Sequence, residues 1–491
     1  MSKGSEPGGH GWESLDPEDW EAQRALGHRM LDEAFDALRG GIEGPVWRAM
    51  PANVRAALDE PAPRQPEGLE AAYAQFRALI QPYPMGNIHP RFWAWVMGNG
   101  TLAGALAEFL AAAMNSNAGG GDHAAILVED QVISWIKDML GFPRAASGLL
   151  TSGASMANLL GLAVARNARA GFDVRAEGLA AGPSPLVVYA STEAHGSIGR
   201  ALEVLGLGRA GLTRIPVRAD FTLDLEALEA AVAADRARGR QPLAVVGSAG
   251  TVNTGAIDDL AGLAALCRRE GLWFHVDGAI GAVAVLADTI RPRLAGMEEA
   301  DSLALDLHKW MHMPFEAGCV LVRDAAAHRR TFAMAAEYLE PCEGGLAGNR
   351  PGYHEFGVQT SRSFRALKVW MGIKEHGLDR YGRLVARNVA QATALGERIG
   401  QEAGLELLAP ASLNIVCFRY NPGGLAEAEL GRLNREIMVR LQAAGIAALS
   451  DTRLGEKRWL RVAIVNHRSR DADFAWLVDS VLDLGRRLAA G

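Results

Sequence analysis

The stretch Leu272-Trp273-Phe274-His275-Val276-Asp277-Gly278-Ala279 decides the fold. Its apolar and aromatic positions run almost without a break and stop at a glycine. A short apolar run bounded by a turn signal reads as a fully buried strand. Asp277 closes that strand, and a buried carboxylate is costly unless a positive group meets it. In open α/β sheets ligands bind just beyond the carboxyl ends of the strands. The positive partner of Asp277 is therefore expected to be a ligand. The next apolar run, Ala300 to Leu307, leads directly into His308-Lys309-Trp310-Met311. This places a lysine among apolar neighbours at the next strand end.

The segments around this pair alternate in the same way. Leu149-Leu150 runs into Thr151-Ser152-Gly153-Ala154-Ser155, and an apolar helix follows from Met156 to about Arg169. Small and hydroxyl residues before a helix cap its free N–H groups, and such an end also suits a phosphate. Leu186 to Ala190 is a strand ending near His195. Leu243 to Ala249 is another, followed by the turn Gly250-Thr251-Val252-Asn253-Thr254-Gly255, and Gly318 to Val322 is a further one. Successive β-α-β units predict a mostly parallel sheet with helices on both faces. Gly206-Leu207-Gly208-Arg209-Ala210-Gly211 matches G-x-G-x-x-G, but it follows a helix and precedes a strand. The dinucleotide fingerprint needs the opposite order, so the match reads as a helix end and turn.

Residues 86–375 form the expected large domain. Residues 1–85 read as helices and proline-rich connectors with too little sheet for a core of their own, which points to a second subunit. Residues 376–491 read as a smaller α+β domain. The Gly-rich segment from Thr331 to Thr360 is long enough to be a lid.

Composition narrows the function classes. The 491 residues carry 22% charged and 49% hydrophobic side chains, the balance of a folded globular protein. A net charge of -7, spread along the chain, gives no case for nucleic acid or an anionic membrane. The four cysteines (Cys267, Cys319, Cys342 and Cys417) form no close pair, so neither a metal cluster nor a disulfide framework is expected. No signal-like or membrane-spanning run occurs, and the expected location is cytoplasmic.

A carboxylate and a desolvated lysine at neighbouring strand ends fit pyridoxal phosphate. Asp277 would meet the pyridinium nitrogen and Lys309 would hold the aldehyde as a Schiff base. Taken singly, Lys309 reads as a snorkelling lysine, His195 as a surface histidine, and Tyr338 as an amphipathic packing residue. Together, and in this order, they resemble one family. His275-Val276-Asp277-Gly278-Ala279, His308-Lys309-Trp310, Thr151 to Ser155, and Ser363-Phe364-Arg365-Ala366-Leu367-Lys368-Val369-Trp370 are similar to the motifs of the group II pyridoxal-phosphate decarboxylases. That is the aromatic-L-amino-acid decarboxylase family, and the likeness covers nearly the whole chain.

The resemblance implies fold type I, the aspartate-aminotransferase-like α/β fold, and a homodimer. It implies decarboxylation of an L-amino acid, with Lys309, Tyr338 and His195 catalytic. Ala279 is expected under the cofactor ring and His195 on its other face. Ala154 and Ser155 are expected at the phosphate, with Ser248, Asp306 and His308 as further cofactor contacts. Tyr338, on the long segment, is similar to the tyrosine that returns a proton to the α-carbon. Leu307 stands where the family usually has proline, and Asp306 where many members have asparagine. Phe92 and Trp95 suggest a partly aromatic substrate pocket, whereas Asn117 stands at an aromatic pocket position of the animal enzymes. An aromatic substrate is the first expectation. A polar or acidic amino acid, transamination and aldehyde formation are the alternatives.

Overall fold

The computed structural model describes residues 14–334, 344–348 and 351–490. It divides into two compact units, Met1–Gly44 with Ala49–Pro84, and Pro45–Arg48 with Met85–Gly491. In the first unit, the helix Trp20–Gly40 starts at Asp19, whose side chain accepts the Ala22 N–H. It is tied to the helix Leu69–Gln75 by the Tyr73 hydroxyl on Glu33 at 2.6 Å and by Arg29 with Glu70 at 2.7 Å. Among its described residues the buried apolar side chains are Leu26, Val54 and Tyr73, while Trp20, Phe35, Phe76 and Ile80 are exposed.

The second unit contains a seven-stranded sheet in the order β1-β7-β6-β5-β4-β2-β3. Its strands are β1 (Ser147–Thr151), β2 (Leu186–Ser191), β3 (Leu212–Ile215), β4 (Gln241–Ser248), β5 (Trp273–Asp277), β6 (Ser302–Asp306) and β7 (Gly318–Val322). The ladders β6-β5-β4-β2-β3 are parallel, and β7 runs antiparallel to both β6 and β1. Every residue of β2, β5, β6 and β7 is buried, as strands covered on both faces require. The helix Gly196–Val204 ends just before the Gly206–Gly211 run, which turns into β3. The rejected dinucleotide motif is thus a helix-to-strand turn.

A second, antiparallel sheet follows in the same unit, in the order β10-β11-β9-β8. It consists of β8 (Leu405–Leu407), β9 (Ile415–Tyr420), β10 (Ser450–Leu454) and β11 (Lys457–Ala463). The helices Leu378–Gln401, Glu427–Ala443 and Asp471–Ala490 close its core. Trp93 enters that core, stacked on Phe474 at 4.9 Å, with its indole N–H donating to Ser469. Its backbone bonds to Ala448 and Ala463 fix the segment Phe92 to Trp95 beside this sheet. Among the described residues no helix is long and apolar enough to cross a membrane.

Candidate active site

Three polar residues end three adjacent parallel strands: Ser248 on β4, Asp277 on β5 and Asp306 on β6. Strand register puts Ser248 opposite Asp277, and Asp277 opposite Ala304. The strands bury their apolar bodies and bring these ends to a common edge. Asp277 is 7% exposed. Its Oδ1 accepts the Ala279 N–H at 3.1 Å and its Oδ2 accepts the Asn158 amide at 3.1 Å. Both donors are neutral, and among the described residues Asp277 forms no ion pair. This buried carboxylate opens onto a cavity with its charge uncompensated.

Lys309 lies in the turn from β6 to β7. Leu307 and His308 both donate their N–H to the Ala317 carbonyl, at 2.9 and 3.0 Å. A proline at position 307 could not make the first bond, so leucine adds a fastening here. Lys309 Nζ pairs with Asp306 Oδ2 at 2.8 Å. The other oxygen of Asp306 accepts the Ala154 N–H at 2.6 Å, at the start of the helix Ala154–Arg169. Asp306 therefore clamps the lysine turn to that helix start. The Ala154 N–H, expected to meet a phosphate, is engaged by Asp306. Gly153 and Gly318 make the clamp possible. A Cβ on Gly318 would come within 2.5 Å of the Gly153 backbone.

His308 turns its Nδ1 toward the Ala317 N–H at 3.1 Å, and its ring lies 4.5 Å from that of Phe315. Burial holds its pKa below the ordinary histidine value, with Asp306 opposing. His195 caps the helix Gly196–Val204 through Nδ1, which accepts the Ser197 N–H at 3.2 Å. It is open to the cavity, yet enough protein surrounds it that burial lowers its pKa, with Asp277 pulling the other way. With Nδ1 accepting, the neutral ring carries its proton on Nε2.

Two adjoining cavities meet at these residues. One, of about 610 Å³, is lined by Ser152 to Met156, Asp306 and His308. The other, of about 340 Å³, is lined by Trp95, Ser248, Thr251, Asn253, Ser450 and Arg461. Val96, Met97, His195, Asp277, Ala279 and Lys309 belong to both. The larger cavity thus has a helix start and the lysine; the smaller has an aromatic wall and an arginine.

Arg461 is 3% exposed and its hydrogen bonds go to uncharged groups. They are the carbonyls of Trp95 at 2.8 Å, Asn253 at 3.2 Å and Val252, and the Ser450 hydroxyl at 3.2 Å. Burial lowers its pKa to about 10. Trp95 has a left-handed backbone, φ 53°, and is 54% exposed.

Of the other expected substrate contacts, Phe92 lies in a buried cluster with Val46, Ala94 and Ala448. Asn117 turns its amide oxygen to the N–H groups of Gly119 and Arg362, both at 2.9 Å. Neither lines the two cavities. Tyr338 lies outside the described residues.

A family comparison bears directly on this geometry. Residues 51–421 match the pyridoxal-dependent decarboxylase conserved domain. The chain belongs to the pyridoxal-dependent decarboxylase family. It is 34% identical to an aromatic-L-amino-acid decarboxylase of Bacillus atrophaeus, over 96% of each chain. It is 31% identical to an L-2,4-diaminobutyrate decarboxylase of Rhizobium meliloti, over 89% of this chain and 86% of that one. The crystal structure of Oryza sativa TDC with PLP and tryptamine has a TM-score of 0.89 at 25% identity, covering 97% of this chain and 100% of that one. The protein is a pyridoxal-phosphate-dependent amino-acid decarboxylase, as the motif resemblance implied.

The decarboxylase's own residues suit that cofactor. Among the described residues the buried carboxylate of Asp277 has no ion-pair partner, and a protonated ring nitrogen would provide one. Three residues of the site are absent from the sequence reading. Asn158 is a polar side chain inside the apolar helix Met156 to Leu162, one turn after Ala154. Arg461 interrupts the apolar run Trp459 to Val465. Either breach of pattern was a visible signal. Ser197, two residues past His195, left no signal of its own.

Proposed function

We propose that the enzyme removes carbon dioxide from an aromatic L-amino acid and releases the amine. The observation that carries the site assignment is Asp277: a buried carboxylate with neutral partners, on the same cavities as Lys309. Lys309 would hold the cofactor's aldehyde, Asp277 would keep its ring nitrogen protonated, and Ala279 and His195 would flank it. Ser155 and His308, beside the helix start at Ala154, would meet its phosphate, with Asp306 and Ser248 as polar supports. When bound, pyridoxal phosphate supplies an electron sink for the pair left as carbon dioxide departs. Arg461 places a buried positive charge where a substrate carboxylate can be held. Tyr338 is assigned, by motif alone, the return of a proton to the α-carbon.

Trp95, Val96, Met97 and Ile280 give the smaller cavity an apolar and aromatic wall, which supports an aromatic side chain. A polar substrate is the second reading. Thr251, Asn253 and Ser450 on the same cavity, and the relative named an L-2,4-diaminobutyrate decarboxylase, favour it. The test is a panel of L-amino acids with carbon dioxide, amine, aldehyde and keto acid measured separately. Amine and carbon dioxide in equal amounts from aromatic substrates is the expected result. Aldehyde or keto acid as the main product would overturn decarboxylation to the amine. Carbon dioxide release unchanged in Tyr338→Phe would remove that residue's role. In Lys309→Ala the absorbance of the lysine-bound cofactor should vanish.

The proposed assembly is a homodimer, supported by apolar side chains that one chain leaves exposed. On the helix Leu102–Met114 these are Leu102, Phe109, Leu110 and Met114; in the first unit they include Trp20 and Ile80. A monomeric mass in solution would overturn it.

A further inference from the structure

Behind Asp277 lies a buried row of polar groups that the cofactor assignment does not use. The indole N–H of Trp273 contacts Ser302 Oγ at 2.8 Å, and Ser302 Oγ lies 2.7 Å from His275 Nδ1. His275 Nε2 lies 2.9 Å from Asn158 Oδ1. The Asn158 amide nitrogen reaches Ser197 Oγ and Asp277 Oδ2, both at 3.1 Å. Ser197 Oγ lies 2.8 Å from His195 Nδ1. Trp273, His275, Ser302 and Asn158 are all at most 4% exposed.

The two ends of this row fix the direction of every bond. An indole N–H can only donate, and an ionised carboxylate can only accept. Trp273 therefore donates to Ser302, and Ser302 donates to Nδ1 of a neutral His275. His275 donates from Nε2 to the Asn158 oxygen. That orients the amide so that its two N–H groups go to Asp277 and Ser197. Ser197 then donates to His195 Nδ1, which leaves the His195 proton on Nε2. Burial supports the neutral form of His275, lowering its pKa to about 3. No member can reverse without leaving a buried donor or acceptor unpaired, a cost that low dielectric magnifies.

We infer that Asn158 is a positioning residue: one amide, aimed by the Trp273–Ser302–His275 row, holds the Asp277 carboxylate in place through Oδ2 and keeps His195 in a single tautomer. This rests on the assignment of Asp277 and His195 to the cofactor. Asn158 and Ser197 both border the larger cavity, and the role assigned to Asn158 acts through its two hydrogen-bond partners, to Asp277 directly and to His195 by way of Ser197.

The test is a double-mutant cycle on pyridoxal phosphate affinity, measured by absorbance titration of the apoenzyme. Asn158→Leu, close in size but without donors, should weaken cofactor binding about tenfold, the usual worth of a hydrogen bond to a charged group. In an Asp277→Asn background the same change should have less than about a twofold effect, because its target charge is gone. The pH at which the bound cofactor's spectrum changes should also move in Asn158→Leu. Equal effects in both backgrounds, with an unmoved spectrum, would reduce Asn158 to a packing residue. Asn158→Thr, which keeps one hydroxyl, takes the place of the leucine variant if that one does not fold, and should fall between it and the parent. A parent enzyme that binds no pyridoxal phosphate would overturn the cofactor assignment and this inference together. Binding by the parent with an additive cycle would overturn this inference alone.

Discussion

Arg362 and Asp277 are buried to similar depth, at 4% and 7% exposure, and their charges are handled in opposite ways. Arg362 makes two bonds to Glu129, at 2.6 and 3.1 Å, and one each to the carbonyls of Ala118 and Leu150, at 2.7 Å. Glu129 accepts the Leu150 N–H as well. This cluster is closed: a cation and an anion neutralise each other and join the β1 strand to the helix Ala124–Leu140. Among the described residues the hydrogen bonds of Asp277 and Arg461 go to neutral groups, and each side chain faces a cavity. A closed pair holds structure. An open charge is set to receive a ligand of opposite sign.

That contrast can be broken by substitution. Arg362→Leu should strand Glu129 and cost about 3–5 kcal/mol of stability, seen as a lower denaturant midpoint. If stability held, the closed cluster would not be structural. Asp277→Asn should leave stability nearly unchanged but lower kcat by about 10²–10³-fold, the scale of losing one electrostatic stabiliser. A variant of near-parent kcat would mean that this carboxylate is not at the cofactor. Arg461→Met removes a charge with no buried anion left behind. It should act on substrate binding, lowering kcat/KM by about 10–100-fold through KM, as expected for a charged hydrogen bond. A large fall in melting temperature with KM unchanged would move Arg461 to the closed class.

Buried bases with no counter-charge sharpen the comparison by pH. Burial lowers the pKa of His275 to about 3, and of His328 and His467 to about 4. Their folded values lie below the unfolded value, so the unfolded chain takes up protons first on acidification. Their contribution is complete above about pH 6.5 and is lost as pH falls toward 4 for His328 and His467 and toward 3 for His275. Each ring makes this slope about 1.4 kcal/mol per pH unit. Urea midpoints measured across this range should fall with pH; a flat profile would show that these rings are protonated in the folded protein. The smallest effect is expected of Asn117→Ala: about 1 kcal/mol of stability for two lost backbone contacts, with KM unchanged. A raised KM would return Asn117 to the substrate site.

The fold and the central pair were legible because both follow from one-dimensional pattern. Asp277 and Lys309 each end an uninterrupted apolar run, and strands buried on both faces produce such runs. The aromatic segment was harder. Phe92, Trp93 and Trp95 look alike in composition, yet Phe92 and Trp93 enter cores while Trp95, with its left-handed backbone, lines the cavity. Backbone direction, not residue type, separates them. Asn117, expected at the substrate pocket, accepts one N–H of its own loop and one from Arg362, a partner far off in sequence that no local pattern shows. Asn158 stands out as a polar breach in an apolar helix, but its partners follow only from the phase of that helix over β5, which the sequence does not supply.

The β6-to-β7 return carries one last consequence. Because β7 runs back beside β6, the lysine turn is pinned on both flanks, by the ladder and by the Ala317 carbonyl. Its backbone has nowhere to travel. If Lys309 holds the cofactor's aldehyde as proposed, its amine would have to reach and leave that carbon by rotation about the side chain's own aliphatic bonds. The reach of that amine would then come from its four-carbon stem and not from movement of the turn that carries it.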